Sequence, residues 1–98
     1  MKISEVNISF VKSRNGLIGF ASIVLNNSIF LSSIGIYEKL QGGYRITYPA
    51  KGEHKVFYPI NRETSDLIEK TIFNKLKEVM KKVNNDRYNS NDAKQGRF

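Results

Sequence analysis

The chain has 98 residues, no cysteine, 40% hydrophobic residues and 16 basic against 9 acidic side chains, for a net charge of +7. That length predicts one domain, the missing cysteines exclude disulfides and thiolate metal sites, and the apolar content is too high for a wholly disordered chain. The basic balance favours nucleic acid, an anionic membrane or an acidic protein as partner.

Val6, Ile8 and Phe10 alternate with Asn7 and Ser9, the period of a half-buried strand. Asn15-Gly16 follows, a strong hairpin signal because both residues tolerate positive φ. Leu17 to Leu25 is the next strand, with Ala21, Ile23 and Leu25 on one face and Phe20, Ser22 and Val24 on the other. Asn26-Asn27 makes a second tight turn into a strand over Ser28 to Tyr37, where Phe30, Ile34 and Ile36 share a parity. Gln41-Gly42-Gly43 turns the chain again, and Tyr44, Ile46 and Tyr48 alternate with Arg45 and Thr47 as a fourth strand. Short links between strands predict an antiparallel meander.

Pro49 and Pro59 then punctuate the chain, since proline cannot donate to a ladder and sits at sheet margins. Between them lie Lys51, His54 and Lys55 and a short extended piece over residues 55–58. Asn61 is suited to cap a helix. Ile68, Ile72, Leu76, Val79, Met80 and Val83 recur at i+3 and i+4, one apolar stripe to bury against a sheet. Acidic Glu63, Asp66 and Glu69 come early in this helix and Lys75, Lys77, Lys81 and Lys82 late, an order that complements the helix dipole. After Val83 the periodicity stops, which predicts a domain over residues 1–83 and a mostly disordered tail over residues 84–98.

No constellation here carries chemistry. A catalytic triad or a zinc site needs partners that the one histidine, His54, lacks. Glu53 beside it has no second carboxylate for acid–base work. Gly42-Gly43 has no Gly-Lys-Ser/Thr continuation and no following helix, so it is a turn and not a phosphate cradle. The expectation is therefore no enzyme, no metal, no cofactor and no small-molecule substrate. No run approaches the roughly 18 apolar residues of a membrane span and the N-terminus lacks the apolar stretch of a signal peptide, so a cytoplasmic protein without membrane contact is expected. Arg45, Lys51 and Lys55 flank one end of the predicted sheet, where they either hold phosphates or guard a solvated edge. Lys75, Lys77, Lys81, Lys82 and Arg87 make a second basic cluster. Tyr44, Tyr48, Phe57 and Tyr58 offer stacking surfaces for bases, though packing against a helix or a partner subunit is the favoured role for aromatics on a small sheet.

Met1-Lys2-Ile3-Ser4-Glu5-Val6, Ala21-Ser22-Ile23-Val24-Leu25, Ile34-Gly35-Ile36, Pro49-Ala50-Lys51 and Pro59-Ile60-Asn61, in this order and at this spacing, resemble the SpoVG family (stage V sporulation protein G, or septation protein SpoVG) over about the first 80 residues. Family members usually carry a second basic residue and a longer loop after the Pro-x-Lys segment; here the loop is shortened to Lys51-Gly52-Glu53-His54-Lys55. With this resemblance the expected fold is α+β, an antiparallel sheet of four or five strands with one long C-terminal helix on one face. The resemblance implies a homodimer formed through the sheet and a bacterial DNA- or RNA-binding regulator linked to septation, sporulation or gene control. It also carries Lys81 and Lys82 over as nucleic-acid contacts beside Arg45, Lys51 and Lys55. The alternative is a protein-interaction module that uses its basic face without binding nucleic acid.

Overall fold

Asparagine builds the first two hairpins. Asn15 and Gly16 take φ of 52° and 89°, and Asn26 and Asn27 take 49° and 56°. Two successive left-handed residues match the right-handed twist of the flanking strands. They join β1 (Ile3–Arg14), β2 (Leu17–Leu25) and β3 (Ile29–Glu38), and the turn at Gly42-Gly43 leads into β4 (Tyr44–Thr47). The four strands form one antiparallel sheet in the order β1-β2-β3-β4. A separate ribbon pairs β5 (Ala50–Lys51) with β6 (His54–Lys55), and α1 (Arg62–Gln95) completes the α+β fold. The computed structural model describes the backbone of residues 1–95 and the side chains of residues 1–82.

The inner face of the sheet is written in cross-strand rows. Val6, Ile23 and Leu31 stand opposite one another, as do Ile8, Ala21 and Ile34, and Ile36 faces Ile46. Onto these rows α1 lays Ile68, Ile72 and Leu76, which are buried with Ala21, Ile23, Ile34 and Ile36 in a single cluster. Burying each such aliphatic side chain contributes about 1.5–3 kcal/mol. The helix begins where Asn61 Oδ1 accepts the Thr64 amide at 2.8 Å, the N-cap bond its sequence predicts.

Two details differ from the sequence reading. Phe30 does not share the face of Ile34 and Ile36; it is 65% exposed. Ala21 pairs with Ile34 but Ile23 pairs with Leu31, so β3 carries one extra residue there, with Ser33 at φ 65°. Such a bulge reverses the alternation on one side of it, turning Leu31 inward and Phe30 outward. The extended piece at residues 55–58 adds no strand to the sheet; only His54 and Lys55 pair, and they pair within the small ribbon. The α1 backbone runs to Gln95, and no proline or glycine falls within residues 62–95. The side chains of Val83, Arg87 and the expected tail from residue 84 lie outside the described residues.

Tyr48 packs its ring edge-on to Phe57 at 6.0 Å between centroids. Its hydroxyl is sealed from solvent and has no hydrogen-bond partner among the described residues. That burial, and then the charge of Glu69, push the phenol up to about 12. Below pH 10 the phenol is protonated in both folded and unfolded chains, so it adds no pH dependence. Between pH 10 and about 12 only the unfolded chain ionises, so stability falls across that window. Replacing Tyr48 with Phe removes a buried, unpaired donor, and we expect a gain of about 1 kcal/mol at neutral pH with a shallower loss above pH 10. Urea melts at pH 7, 9 and 11 test this; a destabilised Tyr48→Phe variant would show that the hydroxyl has a partner after all.

Candidate nucleic-acid interface

The β5–β6 ribbon is held at its base. Val56 N–H donates to the Pro49 carbonyl at 2.9 Å, and the Tyr48–Phe57 contact lies just below. Gly52 takes φ 63° at the turn. Within the ribbon Lys51 stands opposite His54, and Lys55 opposite Ala50. Alternation therefore sends Lys51 and His54 to one face and Lys55 to the other. All three are exposed. Lys55 Nζ lies 4.7 Å from the centroid of Tyr58, a cation–π contact that orients the ammonium. The result is a narrow basic ribbon with a cation on each face.

The other expected contacts sit elsewhere. Arg45 is exposed on the outer face of the main sheet, its guanidinium 4.6 Å over the Tyr37 ring. Lys81 and Lys82 are exposed on α1, just beyond Met80, whose sulfur accepts the Tyr44 hydroxyl at 3.5 Å. Glu69, whose charge acts on Tyr48, marks the ribbon's end of the helix. From Glu69 to Lys81 the helix rises roughly 18 Å. The structure thus brings Lys51 and Lys55 into one hairpin but places Arg45 and the Lys81–Lys82 pair on two further surfaces.

Of the aromatic candidates, Tyr44, Tyr48 and Phe57 pack against the core, as a small sheet requires. Tyr44 also tilts against Phe73 at 6.5 Å. Tyr58 remains 52% exposed beside Lys55. His54 stands opposite Lys51 and so neighbours the basic ribbon, a relation visible in sequence only once the two-residue turn at Gly52-Glu53 is recognised. Among the described residues no group of three or more His, Cys, Asp or Glu side chains is placed to hold a metal ion. No helix among them is long and apolar enough to cross a membrane.

Comparison with known proteins bears on what this arrangement does. A sequence model of the family described as SpoVG matches residues 1–78. Three relatives carry the description "Putative septation protein SpoVG". One from Onion yellows phytoplasma is 31% identical, with 82% of this chain and 85% of the relative covered. One from Phytoplasma australiense is 29% identical, with 82% and 88% covered. One from Caldicellulosiruptor bescii is 28% identical, with 82% and 96% covered.

Proposed function

The chain belongs to the SpoVG family, and from that premise we propose that it is a small DNA- or RNA-binding regulatory protein of septation or sporulation, working as a homodimer in the cytoplasm. The observation that carries this reading is the β5–β6 ribbon: a pinned, exposed hairpin with Lys51 on one face and Lys55 on the other, on a chain of net charge +7. A two-stranded ribbon is narrow enough for the major groove of B-DNA. A cation on each face then meets the phosphates on each side. Arg45, Lys81 and Lys82 extend the positive surface beyond the ribbon. No step in this function is catalytic and it calls for no cofactor.

An open edge supports the homodimer reading. β1 runs for 12 residues at the margin of the sheet, and among the described residues no strand pairs with its outer ladder. An edge of that length favours pairing with a second copy. Light scattering should report twice the 11.2 kDa chain mass at micromolar concentrations. In gel shifts on duplex DNA and on RNA, affinity should fall log-linearly with salt. Binding that is absent at low salt removes the nucleic-acid reading and leaves an acidic protein as the partner of the basic face.

A further inference from the structure

The outer face of the sheet, which α1 does not cover, carries a second arrangement. Arg14 on β1 pairs with Leu17 on β2, Leu17 with Tyr37 on β3, and Tyr37 with Arg45 on β4. Four side chains thus form one row across four strands, a span of roughly 14 Å at ordinary strand spacing. The next row places Phe20 opposite Gly35 and Gly35 opposite Thr47. A Cβ at Gly35 would come within 2.7 Å of the Thr47 hydroxyl, 3.2 Å of the Tyr37 ring and 3.7 Å of Leu17. The missing side chain is therefore the space into which Tyr37 leans. Phe20 is 39% exposed. The Arg45 guanidinium caps the Tyr37 ring at 4.6 Å, so the outermost surface of that stack is a planar cation.

Two recesses flank the row. One of about 490 Å³ is lined by Val11, Lys12, Ser13, Arg14, Leu17 and Phe20. The other, about 390 Å³, lies among Asn15, Tyr37, Lys39 and Arg45. Charge there is one-sided: Lys12, Arg14, Lys39 and Arg45 stand against Glu38 alone. Each recess combines an aromatic ring with cations. Flat π-faces with surrounding cations suit unpaired bases and their phosphates, whereas a duplex hides its base faces in the stack.

We propose that this row and its two recesses are a platform for single-stranded nucleic acid, on which bases stack against Phe20 and the Arg45–Tyr37 pair while Lys12 and Arg14 hold phosphates. It rests on the nucleic-acid reading above and assigns single strands to a surface other than the ribbon. A four-stranded sheet with exposed aromatics can stack two or three bases, and the span of the row fits that number.

The test is fluorescence anisotropy with a labelled ten-nucleotide oligo(dT) and with a duplex, using the full chain and the variants Phe20→Leu, Phe20→Tyr and Arg45→Lys. Phe20→Leu keeps the apolar bulk and removes the ring; Arg45→Lys keeps the charge and removes the plane. Each should weaken oligo(dT) binding about tenfold and keep the wild-type circular dichroism spectrum, and Phe20→Leu should leave duplex binding within about twofold. Phe20→Tyr should bind like wild type. Folded Phe20→Leu and Arg45→Lys variants with wild-type oligo(dT) affinity overturn the platform, as does a Phe20→Leu variant that loses equally on both probes. A Phe20→Leu variant that turns a dimer into a monomer shows a second copy on this face and also overturns it. Wild-type protein that binds duplex but not oligo(dT) sinks the platform and spares the ribbon. Wild-type protein that binds neither sinks the nucleic-acid reading itself.

Discussion

Replacing Ile72 with alanine should lower the melting temperature by roughly 10–30 °C, a loss of about 2–5 kcal/mol. Ile72 is fully buried, and it stands midway along the stripe that α1 lays on the sheet, between Ile68 and Leu76. It belongs to a buried cluster of isoleucine, leucine and one alanine, ringed by partly buried apolar and aromatic side chains, so truncation leaves a cavity in close-packed surroundings. Among the described residues α1 is the one helix, and it covers this face alone. Against a total stability of about 5–15 kcal/mol for a small domain, one such loss can remove a large share. Leu40 supplies the contrast. It is as hydrophobic but stands free at the tip of the β3–β4 turn, 106% exposed, so Leu40→Ser should change the melting temperature by no more than a degree or two. Thermal melts followed by circular dichroism compare the two. An Ile72→Ala protein that melts within a few degrees of wild type would mean that the helix does not dock by this stripe.

What could be read from the chain divides by range. The turns at Asn15-Gly16 and Asn26-Asn27 and the cap at Asn61 were legible because each is settled by residues within one turn of it. The helix stripe was legible because its period repeats over several turns. The bulge in β3 was not. Its extra residue falls at Ser32-Ser33, where no glycine marks a positive φ, and only the pairing with Ala21 and Ile23 reveals it. That one residue decides whether Phe30 is core or surface. The candidate site follows the same rule. Lysine and arginine types were visible, but their grouping belongs to the tertiary structure. Lys51 and Lys55 leave opposite faces of a ribbon because the turn holds two residues. Arg14, Leu17, Tyr37 and Arg45 align only through register shifts on both sides of β2. Family resemblance suggested a class of ligand; it had no means of placing these side chains in a row.

Removing both ribbon lysines should have the largest effect on binding. In a homodimer Lys51→Ala with Lys55→Ala removes four cations, and each phosphate contact on duplex DNA contributes about 0.9 to the salt slope. If all four meet phosphates, the slope falls by about 3.6. Affinity should drop by a similar factor on every duplex sequence, because phosphate contacts position a protein without reading bases. Stability should stay within about 0.5 kcal/mol, as both side chains are exposed. The single variants add geometry. A ribbon lying flat on the backbone engages one face, so only one of the two single variants lowers the slope. A ribbon entering a groove edge-on engages both, and each single variant lowers it by about half. A folded double variant with the wild-type slope at several salt concentrations takes the ribbon out of the interface and makes its lysines a solvated edge. Lys81→Ala with Lys82→Ala then becomes the deciding pair, roughly 18 Å along the helix from Glu69. Should that pair also leave the slope unchanged, the outer face around Arg14 and Arg45 is the next basic surface to test, with single strands rather than duplex as the ligand.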